Sequence, residues 1–100
     1  MAYEAGALEE TLAAAAGGDA ALFAELRAVF AESVNKQIDL LERSRCDGNW
    51  HVAALRLKGL AASFHSATLL LLAEEALETA PGDPSVVRRL KVYVAEFSAA

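Results

Sequence analysis

Trp50-His51-Val52-Ala53-Ala54-Leu55-Arg56-Leu57-Lys58-Gly59-Leu60-Ala61-Ala62-Ser63-Phe64 holds no proline and repeats its bulky apolar residues at helical spacing. The stretch reads as one helix ending at Phe64 or His65. Projected at about 100° per residue with Leu55 as origin, Ala53, Leu57, Leu60 and Phe64 fall within about 40° of the opposite side, with Trp50 just beyond. That side is the expected core. Gly59, Ala62 and His51 lie within about 40° of Leu55, and Lys58 slightly further round. Periodicity therefore predicts that Leu55 faces outward, among small residues and beside a lysine.

A single exposed leucine needs no special account. Gly59 does need one. A glycine in a helix interior costs about 1 kcal/mol relative to alanine, and on an outer face core packing does not explain it. Such a glycine suits a surface that something else approaches closely. Leu55, Gly59 and Ala62 thus form a shallow docking spot, bordered by His51, Arg56 and Lys58.

Outward from this helix the chain reads as further helices. Ala7 to Ala16 is short and alanine-rich and ends at Gly17-Gly18, a pair suited to positive φ. Asp19 then stands as N-cap of a long helix from Ala20 to Ser44. Its stripe Phe23, Leu26, Phe30, Val34, Ile38 and Leu41 recurs every three or four residues, with Glu25, Arg27, Glu32, Lys36, Asp39 and Glu42 on the wet side. Asp47-Gly48-Asn49 reads as the turn that closes it. A fourth helix is expected from Ala67 to Thr79, burying Leu69, Leu70, Leu72, Ala73, Ala76 and Leu77. Pro81-Gly82-Asp83-Pro84 is the strongest punctuation, with Asp83 as N-cap and Pro84 as first residue of a fifth helix. That helix would turn Val86, Leu90, Tyr93, Val94 and Phe97 inward. The expected fold is all-α: an antiparallel up-down four-helix bundle over residues 19–98, preceded by a short N-terminal helical arm over residues 1–18.

Composition agrees and narrows the function. One hundred residues, 55% of them apolar and only two of them proline, make one modest helical core. The run Ala67 to Ala73, interrupted by Thr68, is far short of the ~20 residues of a membrane span. Met-Ala-Tyr-Glu-Ala lacks the basic and apolar blocks of a secretory signal. The lone Cys46 suits a reducing cytoplasm, the expected location. A formal net charge of −5 speaks against nucleic acid as partner.

From Asp47 to Leu77 the chain resembles the histidine-containing phosphotransfer (HPt) domains. Members of that family commonly show a tryptophan or leucine, small residues, then histidine, two residues, lysine and glycine, and later a glycine leading into the next helix. Trp50, Ala53, Ala54, Leu57, Lys58, Gly59, Ala61, Ala62 and the stretch Leu69 to Leu77 fall into that frame, and the long helix from Leu22 to Arg43 is similar to the family's. The resemblance spans some eighty residues. Leu55 takes the place of the phosphoacceptor histidine, and His65 that of the later glycine.

The resemblance implies a module of a two-component phosphorelay whose partner is a receiver domain or a histidine kinase. The departure at Leu55 implies that it does not accept phosphate, because transfer needs an imidazole nitrogen as nucleophile and leucine has no lone pair. Such a module is no enzyme and acts by binding, through Leu55, Lys58, Gly59, Ala62, His51 and Arg56. A monomer is expected. Two alternatives remain. His51, one turn earlier on nearly the same face, would act as a displaced acceptor, although a one-turn offset spoils in-line alignment. Or Leu55 would meet its symmetry mate in a self-associating bundle.

Other chemistry finds little footing, and neither a metal nor a cofactor is expected. His51 and His65 stand about 21 Å apart on a continuous helix, and no Glu-x-x-His pair occurs. Ser63 and Ser66 lie near His65, but serines at helix ends are usually caps and no carboxylate is placed to orient the histidine. Glu74, Glu75 and Glu78 read as a solvated face.

Overall fold

The computed structural model describes residues 6–99. The first five residues of the expected arm, including the stretch read for a secretory signal, lie outside the described residues. Five helices account for almost all of the rest: α1 (Gly6–Ala16), α2 (Ala20–Glu42), α3 (Asp47–Phe64), α4 (Ala67–Glu78) and α5 (Pro84–Ala99). No strand occurs among the described residues, and the fold is all-helical.

The helix ends follow local chemistry. Gly17 and Gly18 both take positive φ, and the Asp19 side chain accepts the Leu22 amide hydrogen at 3.1 Å to start α2. Asp83 does the same for α5 through the Ser85 amide, at 2.8 Å. Between α3 and α4 the chain turns in two residues. His65 sits at φ 61, ψ 44, the left-handed region, and Ser66 caps α4 by accepting from the Leu69 amide at 3.2 Å. One boundary differs from the sequence expectation. Asp47-Gly48-Asn49 does not close α2 but forms the first turn of α3, and α2 stops at Glu42. Asp47 gains there from the positive end of the helix dipole, and Trp50 already donates its amide to the Cys46 carbonyl at 3.2 Å.

The helices share one core. α3 packs on α2 and α4, α5 packs on α2 and α4, and α1 lies against α2 and α3. Leu8 and Leu12 of α1 are fully buried and belong to that core. Phe30 meets Phe64 and Phe97 edge-on, with ring centroids 5.0 and 5.2 Å apart, a geometry that favours the ring quadrupoles. The expected inward residues of α5, namely Val86, Leu90, Tyr93, Val94 and Phe97, are all buried.

α3 is rotated relative to its expected setting. Leu60 and Phe64, expected in the core, are half-buried, whereas Ala54 and Ala61 are sealed. The buried arc is thus displaced by roughly 40°. Size accounts for the shift: small alanines fill the sealed arc, where neighbouring helices pack closely, while the bulky pair is left at the margin. Trp50 secures the same seam by donating its indole N–H to the Ala76 carbonyl at 2.7 Å. In α4 only Leu69, Ala73 and Ala76 are buried, with Leu70, Leu72 and Leu77 half-covered.

Several charges assigned to the wet surface are engaged. Arg27 has a side chain only 16% exposed and pairs with Glu9 of α1. It donates to the Phe97 carbonyl at 2.7 Å and stacks 4.3 Å from the Phe97 ring centroid, the preferred cation–π arrangement of a guanidinium. The glutamates of α4 are divided between neighbouring helices, Glu75 pairing with Arg89 and Glu74 with Lys58. Glu42 and Lys91 tie α2 to α5 at 2.7 Å. Such exposed pairs contribute little individually.

Two outcomes are expected. His65→Gly relieves the left-handed strain and raises stability by about 1 kcal/mol, read as an increase in the thermal midpoint. The hydrogen bond and charge of Arg89 hold the Glu75 carboxyl below its ordinary 4.5, so its contribution is complete above that value and disappears as pH falls through the lowered one. Glu75→Gln should therefore be less stable than the parent near neutrality, with the difference closing in acid unfolding curves.

Candidate functional site

α3 presents its outer face between α2 and α4, and the residues singled out in the sequence share that face. Leu55 is 45% exposed, and His51, Arg56, Lys58, Gly59 and Ala62 are all exposed. A Cβ built on Gly59 would meet nothing within 4 Å. No close packing inside the chain therefore requires glycine at this position. Val52, also 45% exposed, extends the apolar surface beyond Leu55. At about 100° per residue Val52 falls about 60° round from Leu55, a signal present in the sequence and left out of the docking spot predicted from it.

The two flanks of the face differ electrostatically. On the α4 side, Lys58 Nζ lies 3.8 Å from Glu74 Oε2, an open pair that offsets its charge without enclosing it. On the α2 side, Arg56 has no ion-pair partner among the described residues. It borders a groove of about 410 Å3 together with Leu40, Arg43, Ser44, Asn49, Val52 and Ala53. A larger groove, about 530 Å3, lies between α2 and α5, where three alanines, Glu32, Asn35 and Ser98 stand beside the already engaged Arg27 and Phe97.

Leu55 offers no nucleophile, no proton and no metal ligand. His51 is exposed one turn before it, and His65 stands at the far end of the helix as its C-cap, a position set by its backbone. The Ser66 hydroxyl is buried, 2.7 Å from the Tyr93 hydroxyl, and already caps α4, so it is no free nucleophile. Among the described residues no group of His, Cys, Asp and Glu is placed to hold a metal ion, and no helix is long and apolar enough to cross a membrane.

Set against known proteins, the chain matches no family model, no curated protein and no solved structure.

Proposed function

We propose that the chain is an HPt-like signalling module that has lost the phosphoacceptor and works by binding, with a receiver domain or histidine kinase docked on the outer face of α3. The observation that carries this reading is the exposure of Leu55 where the resemblance puts the imidazole, next to a glycine that the chain's own packing does not require. His65 adds support, because its left-handed backbone is a conformation glycine takes without cost and the resemblance puts a glycine there.

The same reading includes the antiparallel four-helix arrangement. Ser66 and Tyr93, then Glu75 and Arg89, join α4 to α5 in opposite chain directions. Arg27 with Phe97, then Glu42 with Lys91, do so for α2 and α5. The short α3–α4 connection favours an antiparallel pair there as well.

Such a module sequesters, scaffolds or inhibits, and it does so as a cytoplasmic monomer. A contact centred on a few apolar side chains, each contributing about 1.5–3 kcal/mol, sets the affinity in the micromolar range. The decisive experiment is titration calorimetry against a panel of receiver domains. Leu55→Asp should weaken binding at least about tenfold while helicity stays unchanged; equal affinity in that variant removes the docking face. Sedimentation of the unbound protein should show a monomer, and a dimer that Leu55→Asp dissociates would assign the face to self-association instead.

Incubation with a phosphorylated receiver domain should leave the protein unlabelled. Acid-labile phosphate on His51, which lies exposed on the same face, would establish it as a displaced acceptor. Leu55→His should gain phosphate uptake if the scaffold still fits its partner.

A further inference from the structure

The groove between α2 and α3 adds a second element to the proposed docking face, and it has a definite charge. Between Arg43 and His65 the chain carries Arg43, Arg45, Arg56 and Lys58 against the single carboxylate of Asp47, in a protein of formal net charge −5. None of the residues lining the groove is acidic. Its two arginines are not equivalent. Arg43 is held by Asp39 of the preceding turn, at 2.9 Å. Arg56, exposed, has no carboxylate partner among the described residues. The Ser44 hydroxyl is turned to the Leu40 carbonyl, at 2.8 Å. Arg56 therefore brings the groove's uncommitted charge, and the side-chain amide of Asn49 is a further donor on the same wall. Val52 belongs both to the groove and to the exposed apolar surface beside Leu55, so the two are continuous.

We infer that this groove receives a carboxylate-bearing segment of the protein partner, with Arg56 as the residue that selects it. A planar guanidinium without an internal partner is suited to bidentate pairing with an aspartate or glutamate. The groove is open, so the pair remains near solvent and acts on orientation and encounter rate as much as on affinity. The apolar centre at Leu55 provides contact area, and Arg56 fixes which way round the partner sits. An acidic protein that binds an acidic segment lowers the repulsion by presenting a part of its surface with a local excess of cations.

This inference rests on the function proposed above, and the experiment separates the two. With the receiver domain that binds the parent protein best, affinity is measured for the parent, Leu55→Asp and Arg56→Glu at low and at high salt. Arg56 is exposed, so helicity and thermal midpoint should be unaffected by its replacement. Arg56→Glu should weaken binding about tenfold or more at low salt, with the loss shrinking at high salt. Reversing one acidic residue of the receiver domain to lysine should restore it. If Arg56→Glu binds as the parent does while Leu55→Asp does not, the groove has no role and the docking face stands. If neither a receiver domain nor a histidine kinase binds the parent, the proposed function is overturned and this inference with it.

Discussion

Ala54 and Ala61 are sealed in the buried arc of α3, and the Trp50 indole locks the α3–α4 seam by donating to the Ala76 carbonyl. Because a helix presents a residue every 100° or so, fixing its buried arc also fixes its outward arc. The seam thereby determines that Leu55, Gly59 and Ala62 meet solvent, that Lys58 leans toward Glu74, and that Arg56 leans toward α2. Larger side chains at the two alanine positions would push the helices apart or turn α3, and the outward face would be rearranged with it.

The rest of the molecule supports that setting by tying helices distant in sequence. Arg27 gathers α1, α2 and α5 through Glu9, the Phe97 carbonyl and the Phe97 ring. Its charge is only partly withdrawn from water and is both ion-paired and hydrogen-bonded, the condition under which such burial is tolerated. Ser66 and Tyr93 join the start of α4 to α5 in the interior. These polar contacts are directional, so they select one packing among several that an alanine-rich core would allow.

Much of this was legible in the sequence. Asp19, Gly17-Gly18 and Asp83-Pro84 mark helix ends by chemistry that acts within a few residues, and those ends stand where expected. The apolar period of α3 was enough to put Leu55 outside. Its exact rotation was not legible, because periodicity weights bulk whereas the sealed arc includes the small residues Ala54 and Ala61. Asp47-Gly48-Asn49 was misread because the same residues serve equally as a turn or as the first turn of a helix. Arg27 resembled its wet neighbours because its acceptor, the Phe97 carbonyl, lies seventy residues away along the chain. The α2–α3 groove escaped notice for a related reason: it belongs to two helices at once, and neither one's pattern contains it.

The side chain at the centre of α3's outer face exists in one covalent and one ionic form. An imidazole there would alternate between protonated, neutral and phosphorylated species, and any contact it made would alternate too. Leucine is indifferent to acidity and to phosphoryl supply, so whatever settles over Leu55 meets the same side chain at every moment. Under the proposed function, a complex centred there would owe its regulation to abundance and to the partner's own state, because the side chain at its centre has only one state to offer.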